Sequence, residues 1–86
     1  MIVSWTQHAT DRFLERLAKL GINYGDVEIA VRQQEFRILQ EENEVKTIFQ
    51  TSGQFLTVIK AETKEYIHII TLWESTPKEI ESWKKK

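Results

Sequence analysis

Three side chains that can bind or protonate a phosphate recur at four-residue intervals near the start of the chain. They are His8, Arg12 and Arg16. Residues four apart share one face of an α-helix, so a helix here would align the imidazole with two guanidinium groups. Arginine grips phosphate through a rigid fork, and histidine can exchange a proton near neutral pH. This stripe therefore indicates a phosphodiester site, with His8 as acid or base and the arginines stabilising charge.

The same stripe also fits an ordinary solvated helix edge. Arg12 could pair with Glu15, and Arg16 could pair with Asp11 or Glu15. Arginines at the border of a core commonly extend their charged ends into water in this way. The spacing alone leaves the two interpretations open.

The second histidine, His68, lies between Ile67 and Ile69 in an apolar segment. A lone imidazole within a strand is most often hydrogen-bonded and half-buried; the alternative is a position on an open sheet face near Lys46 or Lys60. Two histidines in different elements lack the spacing of metal ligands, and the chain has no cysteine. The sequence therefore predicts no metal site and no cofactor.

Charged side chains surround the first predicted hairpin. One of its carboxylates could act as a general base, but the favoured interpretation is a solvated edge whose charges oppose strand-to-strand aggregation. The residues concerned are Glu35, Arg37, Glu41, Glu42, Glu44 and Lys46.

Two helices are predicted to position the stripe. The first covers about residues 5–20, with Ser4 as its N-cap and Gln7 completing a capping box. Gly21 ends this helix, and Asn23 caps the second one. The apolar positions of the first helix recur at three- and four-residue spacing and are Trp5, Ala9, Phe13, Leu17 and Leu20.

From Phe36 onward the apolar period changes to two, which predicts strands. The later strands cover residues 45–51, 55–59 and 66–73, with turns at 42–43, 52–53 and 62–65. A capping box at Thr76 and Glu79, with Pro77 between them, opens a short last helix. The predicted fold is α+β: two N-terminal helices, a four-stranded antiparallel meander and a short C-terminal helix, in one domain spanning residues 1–86.

Composition limits the function classes. The chain has 86 residues and a formal net charge of −1, which argues against nucleic-acid binding through bulk charge but allows a local basic patch. Its N-terminus lacks the pattern of a signal peptide, and it has no apolar run long enough to span a membrane. A small domain without disulfides fits the cytoplasm best.

The opening of the chain resembles a small prokaryotic family, domain of unknown function 4258. The shared pattern is a histidine, an arginine one helical turn later, another after the next turn, and then Gly-Ile. In this chain these residues are His8, Arg12, Arg16, Gly21 and Ile22.

The end of the chain resembles the closing segment of the same family. That segment is an apolar strand with a threonine, an aromatic residue and a glutamate, followed by a proline and a terminal tryptophan. The corresponding residues here are Thr71, Trp73, Glu74, Pro77 and Trp83. The two segments bracket nearly the whole chain.

The resemblance implies a fold related to RelE and barnase, and with it a metal-independent ribonuclease-like toxin or an inactive relative. It implies His8, Arg12, Arg16 and Thr71 as the site residues, RNA as a substrate and an antitoxin as a partner. Two other functions remain open. One is a non-catalytic interaction module or homodimer that uses the exposed sheet face. The other is a small-ligand or anion site on that face.

Overall fold

A five-stranded mixed sheet forms the centre of the fold, with helices on both of its faces. The computed structural model describes residues 2–33, 36–41 and 43–85. Met1, Gln34, Glu35, Glu42 and Lys86 lie outside the described residues, together with the parts of the predicted first hairpin and its turn that involve Glu35 and Glu42. The five strands are β1 (Ile2–Trp5), β2 (Arg37–Leu39), β3 (Glu44–Thr51), β4 (Gln54–Glu62) and β5 (Tyr66–Glu74).

In the described part of the chain, two α-helices lie between β1 and β2, and a third follows β5. The α-helices are α1 (Gln7–Arg12), α2 (Tyr24–Gln33) and α3 (Pro77–Lys84). The helix that begins as α1 continues through a π-helical turn, Phe13–Leu17, and a 3₁₀ turn, Ala18–Leu20. No helix among the described residues is long and apolar enough to cross a membrane.

The first strand is the main departure from the predicted fold. β1 pairs in parallel with β5, from Ile2 opposite Tyr66 to Trp5 opposite Ile69. The sheet order is therefore β1-β5-β4-β3-β2, and the sheet is mixed and five-stranded instead of antiparallel and four-stranded. Pairing with a strand more than sixty residues away supplies ladder hydrogen bonds that outweigh a local capping signal.

The predicted start of the first helix is consequently wrong. Ser4 lies within β1, and the N-cap of α1 is Thr6, whose hydroxyl accepts a hydrogen bond from the Ala9 amide. Other local signals are confirmed. Gly21 adopts a left-handed conformation with φ of 83°, and the capping box that opens α3 at Thr76 is present. Both of its reciprocal hydrogen bonds form.

One sheet face packs against the helix of α1 and its two following turns, and against α2. Among the predicted apolar positions, Ala9, Phe13 and Leu17 are fully buried. Trp5 packs edge-on against Phe13 from β1, with ring centroids 5.6 Å apart. The sheet contributes to this core the buried side chains Phe49, Leu56, Val58, Ile67, Ile69 and Leu72.

The opposite sheet face is partly covered by α3. Trp83 of α3 packs edge-on against Phe55 of β4, with ring centroids 5.0 Å apart. The Glu79 carboxylate also ties α3 to the sheet through Thr57, Trp73 and Lys46. The last helix is thus anchored on the face away from α1 and α2.

Lys60 of β4 is fully buried on the core side of the sheet. Its Nζ donates a hydrogen bond of 2.7 Å to the Val31 carbonyl in the last turn of α2 and lies 3.0 Å from Glu62 Oε2. Glu62 also pairs with Arg37 at 2.7 Å. Burial lowers the pKa of Lys60, and Glu62 offsets part of that effect. Burial alone would raise the pKa of Glu62, but Lys60 and Arg37 lower it.

Removing the counterion of this buried ammonium should be destabilising. We expect Glu62→Gln to reduce the free energy of unfolding by about 2 kcal/mol, because it leaves a buried charge without its carboxylate. The matched control is the same substitution in a Lys60→Met background, where the ammonium is absent and the loss should be much smaller. Urea unfolding of the four proteins measures the coupling. Equal losses in the two backgrounds would show that Lys60 does not depend on Glu62.

Candidate functional site

The structure brings together two of the four predicted site residues. His8 Nε2 lies 3.1 Å from Thr71 Oγ1, within hydrogen-bond distance. Either atom can be the donor, according to which ring nitrogen carries the proton. His8 is exposed and Thr71 is half-buried, so the pair lies at the surface and is open to a ligand.

The two side chains meet because α1 begins beside an irregularity in β5. Ile59 pairs with Thr71 and Lys60 pairs with Ile69, so Ile70 is an extra residue in β5. Such a bulge bends a strand and re-aims its side chains, and bulges are frequent beside active sites. Thr71 directly follows the extra residue, and His8 lies in the first turn of α1.

Arg12 and Arg16 follow His8 along the same helix. Arg12 is half-buried and ends α1, while Arg16 is exposed and lies in the π-helical turn. In the part of the chain that the structure describes, neither arginine forms an ion pair with Asp11 or Glu15. The carboxylate of Asp11 accepts a hydrogen bond of 2.9 Å from the side-chain nitrogen Nε2 of Gln7. The exposure of Arg16 and the partial burial of Arg12 fit both the phosphate-site and the solvated-edge interpretations.

The helix does not keep α-helical geometry along the stripe. At the π-helical turn the Ala18 amide donates to the Phe13 carbonyl, five residues earlier. A π-turn rotates each residue by less than an α-turn does, so it changes the angle between Arg12 and Arg16 around the helix axis. Turns of this kind occur frequently at functional sites. Nothing in the apolar spacing indicated it, because Phe13 and Leu17 are buried in either geometry.

The His8–Thr71 pair, with two arginines farther along the same helix, offers groups that can bind or protonate an anion. Thr71 holds one ring nitrogen of His8, and the other, Nδ1, has no partner among the described residues. Nδ1 can therefore exchange a proton with a ligand while Thr71 orients the ring. Two guanidinium groups on the same helix can balance the ligand's negative charge.

The second histidine belongs to a different cluster. His68 is half-buried, its Nδ1 forms a hydrogen bond of 2.5 Å with Ser4 Oγ, and its ring stacks on Tyr66 at 5.5 Å. This confirms the hydrogen-bonded, half-buried interpretation. The expected alternative neighbour Lys60 lies in the core instead. No group of three potential metal ligands occurs within residues 2–33, 36–41 and 43–85.

Two charged residues of the first predicted hairpin form ion pairs within the fold. Arg37 pairs with Glu62, and Lys46 pairs with Glu79 of α3 at 2.7 Å. A cleft of about 370 Å³ lies beside this second pair. It is lined by Ile38, Lys46, Ile48, Thr76, Lys78, Glu79 and Ser82.

Sequence reasoning missed Thr6 as a contributor to the site. The pattern Ser4-Trp5-Thr6-Gln7 favoured Ser4 as the N-cap, because Gln7 then completes a capping box. With Thr6 as the cap, the corresponding third helical position is Ala9, which provides no such signal. A short β-branched start, Ile2-Val3, was the one local indication that a strand precedes the helix.

Comparison with known protein families, with curated proteins and with solved structures gives no match for this chain.

Proposed function

We propose that this domain is a metal-independent, ribonuclease-like toxin-family protein that binds an RNA phosphodiester at the His8–Thr71 pair. The observation that carries the proposal is the 3.1 Å contact between His8 Nε2 and Thr71 Oγ1, which joins residues 63 positions apart. The resemblance named these two residues from separate ends of the chain. Their meeting supports a shared site.

The chemistry needs a proton acceptor, a proton donor and cations. When the ribose 2′-oxygen attacks phosphorus, it loses its proton as the new P–O bond forms. The 5′-oxygen must gain a proton as its own P–O bond breaks. His8 takes the first role or the second, and water completes the other.

The two arginines stabilise the negative charge that develops on the phosphate. The phosphorane that forms on attack carries more negative charge than the bound phosphodiester. A guanidinium beside it therefore stabilises the transition state more than the ground state. Arg12 and Arg16 supply this charge locally, which is compatible with a formal net charge of −1 for the whole chain.

Inducible expression in a bacterial host tests the proposal. Wild type should arrest growth and degrade total RNA in the cytoplasm, while His8→Ala/Arg12→Ala should do neither. Arg32→Ala is the matched control, because Arg32 is an exposed arginine on a different helix, α2. Co-expression of a neutralising antitoxin should restore growth. Normal growth with intact RNA at high levels of wild-type protein would contradict the proposal.

A second candidate function is self-association through the exposed sheet edge. Ile2 of β1 and its register partner Tyr66 of β5 are 58% and 39% exposed, so two large apolar side chains adjoin at an outer strand. Light scattering at increasing concentration should then report a dimer in wild type and a monomer in Ile2→Lys. A monomer at all concentrations would exclude it.

A further inference from the structure

Through its amide and its hydroxyl, Thr6 makes three hydrogen bonds at the junction of β1 and α1, and its carbonyl accepts two more from Thr10. Its amide donates a hydrogen bond of 3.0 Å to the Ile69 carbonyl, and its hydroxyl donates one of 2.8 Å to the Ile70 carbonyl. The same hydroxyl accepts a hydrogen bond of 3.1 Å from the Ala9 amide in the first turn of α1. One oxygen atom thus joins the start of the helix to the strand β5.

On β5, the Thr6 hydroxyl contacts the extra residue of the bulge. Ile70 is that residue, and Thr71 follows it directly. On the helix side, His8 lies two residues after Thr6 and one before Ala9. The hydroxyl therefore connects backbone groups adjacent to both members of the His8–Thr71 pair. Displacement of either backbone changes the distance between the imidazole and the Thr71 hydroxyl.

We infer that Thr6 is a positioning residue, which holds the first turn of α1 and the β5 bulge in the register that lets His8 meet Thr71. Its effect on RNA cleavage rests on the proposed function, whereas its effect on the His8–Thr71 contact does not. Thr6 acts through these neighbours and touches no reacting atom.

Three substitutions separate positioning from helix capping. Thr6→Ser keeps the donor and the acceptor. Thr6→Asp keeps an N-cap acceptor for the Ala9 amide but has no proton for the Ile70 carbonyl. Thr6→Val loses both. Thr10→Val is the matched control. The Thr10 hydroxyl donates a hydrogen bond of 3.1 Å to the Thr6 carbonyl, and within the described residues it makes none with β5.

The first measurement is RNA cleavage by purified proteins. Displacement of a catalytic group by about 1 Å can reduce turnover by roughly 100-fold. We therefore expect Thr6→Val and Thr6→Asp to lower kcat by roughly 10- to 100-fold with KM nearly unchanged. Thr6→Ser and Thr10→Val should stay close to wild type. A Thr6→Asp protein with wild-type kcat would show that Thr6 serves only as a helix cap.

The second measurement is the ¹⁵N resonance of His8 Nε2 without RNA at one fixed pH. Thr71→Val reports the resonance when the contact is lost. Thr6→Asp and Thr6→Val should shift the His8 resonance in the same direction as Thr71→Val does. Adding Thr71→Val to either variant should shift the resonance little further. Agreement between the anionic and the neutral replacement excludes a direct effect of charge.

A wild-type His8 resonance in folded Thr6→Asp and Thr6→Val proteins would overturn the assignment of Thr6. If wild type cleaves no RNA, the proposed function fails, and the resonance still decides whether Thr6 positions the pair. Should Thr6→Val fail to fold, Thr6→Asp and Thr6→Ser provide the same comparison.

Discussion

Replacing Glu79 with alanine is expected to lower the free energy of unfolding by about 3 kcal/mol, the largest loss we expect at a single side chain outside the apolar core. Its Oε1 accepts hydrogen bonds from the Thr57 hydroxyl, the Trp73 indole and the Thr76 amide at 3.1, 3.0 and 2.9 Å. Its Oε2 pairs with Lys46 at 2.7 Å. Alanine leaves four polar groups without this acceptor and loosens α3 from β3, β4 and β5.

The matched control for this experiment is Glu81→Ala on the same helix. Glu81 pairs with Lys85 at 3.0 Å, but both side chains are mostly exposed. Such a pair contributes about 0.3–0.5 kcal/mol, so its loss should hardly change urea unfolding. Similar losses for the two variants would mean that Glu79 does not anchor α3.

The pH dependence of stability gives an independent check on Glu79. Burial alone would raise the pKa of this carboxyl. The ammonium of Lys46 and the donors at Thr76, Trp73 and Thr57 outweigh burial and lower the pKa to about 2. Because the folded-state pKa lies below the ordinary value of 4.5, the ionised group stabilises the fold fully above that value.

The sign of the acid effect follows. As pH falls from about 4.5 toward about 2, the unfolded chain takes up the proton first, and this stabilisation is lost. The loss amounts to at most about 3 kcal/mol. We expect the stability difference between wild type and Glu79→Ala to shrink over this range. Urea midpoints measured at both ends of it provide the test. A constant difference would contradict the lowered pKa.

His8→Ala is expected to reduce RNA cleavage by the purified protein by roughly 10²- to 10⁴-fold, the usual contribution of a general acid or base. Under the proposed function the loss should appear in kcat, because a general acid or base exchanges its proton only during the reaction. His68→Ala is the matched control. It removes the other histidine, whose partners are Ser4 and Tyr66, and it should leave cleavage nearly unchanged.

The remaining site residues should give different kinetic signatures. Thr71→Val should lower kcat less than His8→Ala, because it removes only the group that orients the ring. Arg12→Ala should weaken RNA binding and reduce the dependence of binding on salt, since the proposed function assigns Arg12 a phosphate contact. If RNA cleavage persists in His8→Ala and is lost in His68→Ala, the active site lies at the cluster around His68 instead.

Several parts of the fold follow from signals that act within a few residues. The turn at Ser52 and Gly53 needs positive φ at both positions, and the observed values are 50° and 77°. Gly21 ends the first helical segment for a similar reason, since glycine tolerates the left-handed conformation. The cap of α3 at Thr76 also depends only on residues beside it. These elements could be predicted because sequence neighbours supply their partners.

Long-range partners decided what local patterns missed. Ser4 has a good local context for a helix cap, yet it pairs with His68 in a parallel ladder. Lysine is usually a surface residue, yet Lys60 is buried. The Val31 carbonyl and the Glu62 carboxylate both contact its ammonium group. No window of neighbouring residues contains the Ser4–His68 pairing or the contact between Lys60 and Val31.

The sequence by itself determined the candidate residues of the site, the α+β class and most of the later strands and helix ends. Only the tertiary structure decided that His8 meets Thr71, because that contact requires β1 to pair beside β5 and the extra residue Ile70 to bend the strand. Helical spacing aligns His8 with Arg12 through backbone geometry alone. Joining His8 to a strand 63 residues later depends on how the helix packs on the sheet.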